Sequence, residues 1–242
     1  EHIGLLPLVM VSPGDVDLIH LGGEERRLFL NAVISQYDKT YLQMLISYNN
    51  ALQNRNKLLK SALEDELMFD IYEDELVEYG AYIYNKRKEF VQDLLPIFQK
   101  YYSFISEEKE RVQMEYISHL QSDENLKTLL QQTRERDKII GFTTKGIHRD
   151  DIEMQLNSYS LKRTGSQGQI KTYLIALKLA QFELLKKVNQ KTPLLLLDDI
   201  FAKLDANRVK QIIKLVSSDA FGQIFITDTN REHVDEMLKS IN

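Results

Sequence analysis

Three features of the sequence predict an α/β fold, a parallel sheet with covering helices interrupted by a long helical insertion. The last third alternates helix, strand, helix, strand and helix, the order that builds a parallel sheet. Within it, Lys191 to Asp205 (KTPLLLLDDIFAKLD) holds the leucines Leu194 to Leu197, bounded by Pro193 and by Asp198-Asp199. A short apolar run so bounded reads as a strand buried on both faces. Glu24 to about Leu67 has no Pro or Gly and reads as helix. The predicted division is a helical arm over 24–104 and a sheet-bearing part over 1–23 and 105–242.

The totals bound the possibilities. A chain of 242 residues makes one or two domains with a substantial core. With 43% hydrophobic and 28% charged residues it is ordinary globular material. The lack of cysteine excludes disulfides and thiolate metal sites and fits a reducing cytoplasm. Nothing approaches the ~18 apolar residues of a membrane span, and the start lacks the pattern of a signal peptide, so no membrane partner is expected. The chain has no initiator Met and opens almost inside a strand, as a piece of a longer protein would. A net charge of -5 gives no global attraction to nucleic acid, so any DNA contact needs a local basic surface.

In chain order, Leu5 to Val11 is an apolar, β-branched strand ended by the turn Ser12-Pro13-Gly14-Asp15. In the helical stretch that follows, Leu45, Tyr48, Leu52, Leu59 and Ala62 fall at heptad-like spacing. A second block from about Tyr72 repeats Leu76, Ile83, Phe90 and Ile97 every seven residues, with Tyr79 on the same stripe. Two such blocks predict an antiparallel hairpin of arms roughly 35–40 Å long, the second kinked or broken at Pro96. Arg26, Arg27, Arg55 and Lys57 supply positive charge here and are the candidate phosphate contacts.

Arg111 to His119 alternates as a strand, and Ser122 to Asp137 reads as a helix capped by Ser122 or Asp123. Ile139 to Phe142 and Ile152 to Leu156 read as strands around Gly146 to Asp151, a polar turn expected to be held by His148 and Arg149 to the Asp pair. Ser166-Gln167-Gly168-Gln169 opens a helix from Ile170 to about Asn189. Its hydroxyl and free N–H groups at the positive helix end suit an anion. After Leu204-Asp205 come a helix to about Val216, a buried strand from Gln223 to Thr227, and a final helix over Glu232 to Leu238 capped from Asp228-Thr229-Asn230. Carboxylates such as Asp198 and Asp199, at the carboxyl end of a parallel strand, stand where α/β folds bind ligands.

Each motif alone is loose, but SQGQIKT, then LLLLDDIFAKLD, then QIFITDT form a specific set. In this order the chain resembles the ATP-binding-cassette ATPases of chromosome maintenance and repair, in particular bacterial recombination mediators. VSPGDVDLIHLGGEERRLFLN, YNNALQNRNKLLK, YGAYIYNKRKEF and GFTTKGIHRDD extend the resemblance over nearly the whole chain. It implies a P-loop ABC-type ATPase head with an inserted α-helical arm. The protein would bind ATP and Mg²⁺, bind DNA (double-stranded or at single/double-strand junctions), dimerise around ATP and work with other mediator proteins in recombinational repair.

By the same resemblance, Ser166, Gly168 and Gln169 would touch the γ-phosphate held by a second head. Asp198 would hold Mg²⁺ and Asp199 would polarise the attacking water. Leu204 and Asp205 would form the loop across the dimer interface, and Thr227 would stand in for the family's switch histidine. The sequence departs from the family in having no GxxxxGK[ST], so the phosphate-cradling first lobe is expected upstream and this stretch alone is expected not to hydrolyse ATP. Asp199 replaces a Glu, and no Gln stands in the segment Ser12 to Asp15. Two other readings are a nucleotide-independent binding module for DNA or protein and a structural SMC-like head. The short arm speaks against the long coils of the latter.

Overall fold

The computed structural model describes residues 6–61, 65–122, 124–229 and 235. The chain forms two compact units. One takes residues up to Glu25, Val91–Glu115 and Glu153 onward; the other takes Arg26–Phe90 and Tyr116–Ile152. The second unit thus gathers 26–90 of the expected arm together with 116–152, which was expected in the sheet-bearing part, while 91–104 falls in the first unit.

The chain starts with β1 (Leu8–Val11), a 3₁₀ turn (Pro13–Val16) and α1 (Asp17–His20). The predicted helix over 24–67 is two helices, α2 (Gly23–Ile34) and α3 (Lys39–Leu59). Asp38 makes the break by capping α3, its carboxylate accepting from Tyr41 N at 2.8 Å. The next helix, α4 (Glu66–Ser106), is unbroken through Pro96. Leu94 and Phe98, both fully buried on either side of that exposed proline, hold the helix together against the ~3 kcal/mol a central proline costs.

After α4 come β2 (Val112–Ile117), α5 (Leu126–Gln132) and α6 (Arg134–Ile140). The single helix expected over 122–137 is therefore two, and its cap is Asn125, which accepts from Lys127 N at 2.9 Å. The strand expected over 139–142 is instead the end of α6, closed by Gly141 at φ 79°. Next are β3 (Asp151–Leu156), β4 (Tyr159–Ser160), α7 (Leu161–Thr164), α8 (Gln167–Asn189), β5 (Leu194–Asp198), α9 (Ala206–Val216) and β6 (Ile224–Thr227). Of the helix expected over 232–238, only Asp235 is among the described residues, and it is helical.

In the first unit β5 lies between β1 and β6, parallel to both. Val9, Val11, Leu195 and Leu197 are buried on one face, while α8 packs on β1 and is buried on nearly every side. Leu8, Met10 and Phe225 on the other face are 43%, 44% and 50% exposed. The predicted two-sided burial of β5 and β6 is thus one-sided among the described residues. Tyr173 on α8 meets Phe98 at 4.6 Å and Tyr102 at 6.2 Å, centroid to centroid, which ties the end of α4 to α8. Gly165, between α7 and α8, is required because a Cβ there would stand 2.7 Å from the Leu161 carbonyl. In the other sheet β3 lies between β2 and β4.

In the second unit α3 and α4 run antiparallel, as expected. Tyr41 meets Arg87, Tyr48 meets Gly80 and Arg55 meets Glu73, each pair mirrored about the connection. The stripe on α4 buries Leu76, Ile83 and Phe90 as predicted, but its other half includes Glu73 and Arg87. Arg55, at 0% exposure, pairs with Glu73 at 3.1 Å and Asp137 at 2.8 Å. Arg87 donates to Asp150 at 3.1 Å and to the Ile147 carbonyl at 2.9 Å. Asp150 also accepts from Tyr116, and Asp151 takes Arg26 at 2.5 Å. The 146–151 turn is therefore held by Arg87 and Arg26, not by His148 and Arg149.

His148 instead bridges Tyr48 Oη at 2.8 Å and the Thr143 carbonyl at 2.9 Å. A carbonyl only accepts, so Nε2 carries the proton and Nδ1 accepts from Tyr48. The turn closes over Tyr48 only with glycine at 146, whose φ is 125° and where a Cβ would lie 2.5 Å from the Tyr48 hydroxyl. Desolvation pushes His148 down to about 4, against the bond to Thr143. A depressed imidazole pKa gives stability that is present above the unfolded value near 6.5 and lost as pH falls toward 4. The unfolding free energy read from urea denaturation should fall over that window by up to about 1.4 kcal/mol per pH unit, and His148→Gln should flatten the dependence. An unchanged slope in that variant would remove His148 as the cause.

Candidate functional site

Parallel pairing brings the functional side chains to one edge of the sheet. Asp198 ends β5 in register with Thr227 on β6, and Thr227 donates to its carboxylate at 2.5 Å. Thr227 thus serves Asp198, a contact the sequence did not reveal. Asp199 follows with φ 46°, a left-handed conformation that costs a non-glycine residue about 1–3 kcal/mol. Three bonds hold it there: its N–H donates to Thr227 O at 3.0 Å, Thr229 donates to its carboxylate at 3.2 Å, and Lys171 Nζ donates to its carbonyl at 2.5 Å.

Lys171 lies one turn into α8, so helix and strand are joined at the site. Desolvation holds its ammonium below the usual lysine range, against the pull of Asp199, Asp228 and Asp198. Ser12, His20, Gln167, Lys171, Asp198 and Asp199 are among the residues around a cavity of about 310 Å³. The Ser12 turn is closed on itself by Asp15, which also pairs with Lys178 at 2.7 Å.

The start of α8 is an N-terminal capping box. Ser166 Oγ accepts from Gln169 N at 3.3 Å, and Gln169 Oε1 accepts from Ser166 N at 2.8 Å. The other end of the Gln169 amide donates to Glu110 at 2.7 Å. The amide of Gln169 is thus engaged at both ends, whereas exposed Ser166 keeps its hydroxyl proton for an acceptor. Gly168 faces the loop after β5, where a Cβ would stand 3.4 Å from Lys203 O, an ordinary van der Waals contact. Leu204 is half-buried in that loop and Asp205 is exposed at its end, capping α9 by accepting from Arg208 N at 2.9 Å.

A magnesium ion takes one or two carboxylates and fills its remaining positions with water and phosphate oxygens. Asp198, half-buried with one bond from Thr227, has acceptor capacity left for such an ion. Among the described residues no group of three or more His, Cys, Asp or Glu is spaced to hold a metal unaided.

The candidate basic residues lie in the helical unit and divide. Arg55 is fully buried in its ion network, so it does not face a phosphate backbone. The Arg26 side chain is 11% exposed and forks onto Asp151 at 2.5 and 3.0 Å, while Arg27 donates to the Asp150 carbonyl at 2.8 Å. Lys57 is exposed and shares a groove on α3 with Asn49, Gln53, Asn56 and Lys60.

Residues 23–227 match the family described as AAA domain, putative AbiEii toxin, Type IV TA system, and the chain belongs to that family of ATPase-type domains. More particularly, the chain is similar over its whole length to the protein RecF. It is 56% identical to the DNA replication and repair protein RecF of Bacteroides thetaiotaomicron and 58% identical to that of Parabacteroides distasonis. The match covers all of this chain and 65% and 66% of those proteins. A solved structure of the recombination mediator protein RecF with ATP, from the RecFOR pathway, is 32% identical with a TM-score of 0.84, covering 96% of this chain and 64% of that one. A Pyrococcus furiosus Smc head, 18% identical with a TM-score of 0.52 over 94% of this chain and 56% of its own, shares the fold. The fold is thus that of RecF and SMC ATPase heads, with a long helical arm.

Asp205 is held below the usual carboxylate range, first by the Arg208 N–H. Asp205→Ala should cost about 1 kcal/mol at neutral pH, read by urea denaturation. Because the folded pKa is depressed, the difference from wild type should vanish as pH falls through that pKa, below the usual value near 3.9. A loss that persists there would show that the carboxylate does not act as the cap.

Proposed function

We propose that this chain is the greater part of a RecF-type ATPase head that binds DNA in replication and recombinational repair and closes on a second copy around ATP. The observation that carries the reading is the meeting of Gln167, next to Ser166 at the start of α8, with Lys171, Asp198 and Asp199 around one cavity at the edge of the sheet. Ser166 would donate a hydrogen bond from its hydroxyl to the γ-phosphate held by the second head, at a helix end whose N–H groups favour an anion. Gln169 fixes the shape of the Ser166 turn, and Gly168 would contribute a backbone free of side-chain bulk to it. Leu204 and Asp205 face the second copy. Asp198 would hold Mg²⁺, which when bound offsets phosphate charge, and Asp199 would orient the attacking water.

The 242 residues contain no GxxxxGK[ST] and span 65% of the length of the first RecF relative. The phosphate cradle is assigned to the remainder of the protein. The open apolar face of Leu8, Met10 and Phe225 suits a covering lobe, since parallel sheets are ordinarily covered on both faces. Partners are DNA, including single/double-strand junctions, and other recombination mediators. Among the described residues no helix is long and apolar enough to cross a membrane, and a cytoplasmic site of action follows from the repair role.

In the full-length protein, Asp198→Asn should lower DNA-stimulated ATP turnover by at least about 100-fold with the melting temperature kept. Retained turnover would remove Asp198 from the chemistry. No turnover in the wild type, with DNA binding intact, would favour the nucleotide-independent module.

For DNA, the exposed lysines at the end of α3, Lys57 and its C-cap Lys60, replace the paired arginines as the contact. Changing Lys57 and Lys60 together to Ala should make the salt dependence of DNA affinity shallower by about two counterions while leaving stability unchanged. An unchanged slope would move the contact to another face.

A further inference from the structure

We infer that Glu110 is a positioning residue that locks the Ser166–Gln169 turn and the Asp205 cap into one preformed surface for the second head. The inference rests on the nucleotide-driven dimer proposed above and adds the residues that prepare its surface. Glu110 belongs to no motif. Its side chain is 12% exposed, and its two oxygens accept from three side chains on three elements. Tyr102 Oη, from the last turns of α4, donates to Oε2 at 2.6 Å. Gln169 Nε2 donates to Oε1 at 2.7 Å. Arg208 Nη2, from α9, donates to both oxygens, at 3.1 and 3.0 Å.

Arg208 extends the lock. Its Nη1 donates to Thr172 Oγ1 at 2.7 Å, and Thr172 donates in turn to the Gly168 carbonyl at 2.8 Å. Its Nε donates to Asp205 Oδ2 at 3.1 Å. One guanidinium therefore holds the turn's backbone and the loop's cap, and one carboxylate holds that guanidinium and the turn's amide. Burial alone pushes Glu110 upward, but the bonds from Tyr102, Gln169 and Arg208 outweigh it and keep the carboxyl below its usual range.

The segments so held are surface segments: Ser166, Gln167 and Asp205 are exposed. Ordering them before association removes part of the entropy that docking would otherwise lose. The consequence falls on association of heads rather than on capture of nucleotide by one head. Glu110→Gln keeps size and acceptor oxygen but sets an amide N–H against the Arg208 fork.

The test is sedimentation of the full-length protein with ATP under non-hydrolysing conditions, beside equilibrium binding of fluorescent ATP to the single head. For Glu110→Gln we expect dimer affinity to fall by at least about tenfold, with nucleotide affinity within about twofold and the melting transition still cooperative. Arg208→Lys, which keeps the charge but loses the fork, should give a smaller loss in the same direction. If Glu110→Gln does not fold, Arg208→Lys carries the test by itself. Ser166→Ala is the control for the underlying reading. Dimerisation lost in Ser166→Ala but unchanged in folded Glu110→Gln and Arg208→Lys would overturn the inference and leave that reading standing. Dimerisation unchanged in Ser166→Ala would overturn the reading, and the inference with it. A parallel fall in nucleotide affinity and dimerisation would also overturn the inference, since it would mean general loosening of the head.

Discussion

The packing of α8 against the parallel sheet is the constraint on which the site depends. A helix that crosses back over a parallel sheet runs opposite to the strands. The start of α8 therefore lies at the same edge as the end of β5. Phosphate-type donors at Ser166 and carboxylates at Asp198 and Asp199 come together although about thirty residues separate them. Lys171 completes the join by bonding the Asp199 carbonyl, so the helix that offers the turn also fixes the backbone that carries a carboxylate. That backbone is left-handed at Asp199, a conformation that persists only where surrounding bonds over-determine it.

The helical unit uses charge where a plain coiled pair uses leucine. Arg55 and Arg87 occupy core positions of α3 and α4, each matched by buried carboxylates from outside the hairpin. Such pairs add little net stability over apolar packing, because desolvation offsets attraction. They are intolerant of misalignment, because any shift along the helices would leave a buried charge alone. Here they fix the register of α3 on α4 and place the 116–152 segment against both. The cost is that arginines which look like DNA contacts in the sequence serve the interior.

Elements were legible where local chemistry and tertiary packing agree. The leucine run before Asp198, the Ser166 helix start, the helix after Asp205 and the stripe of seven-residue period on α4 each have a local cause in the sequence. The departures come where one local signal yields to a neighbouring cap or to tertiary packing. Asp38 breaks a helix without Gly or Pro, because its carboxylate satisfies an orphan N–H of α3. Pro96 fails to break α4 because buried neighbours outweigh its missing bond. Ile139 to Phe142 has strand-like residues but follows helical turns and ends at a left-handed Gly141. The Thr227–Asp198 bond and the Glu110 cluster were invisible, since they join residues 29 and up to 98 positions apart through sheet register and packing.

By itself the sequence determined the class of fold, the order of the motifs and the types of side chain available for phosphate and metal, because these depend on periodicity, capping and residue chemistry within short windows. Tertiary structure alone decided which charges face water and which face each other. It turned Arg55 and Arg26 inward, engaged Gln169 at both ends and gathered Tyr102, Gln169 and Arg208 on Glu110. The physical reason is that a charge's role is set by its burial and its partners, and both are properties of the packed chain rather than of any segment.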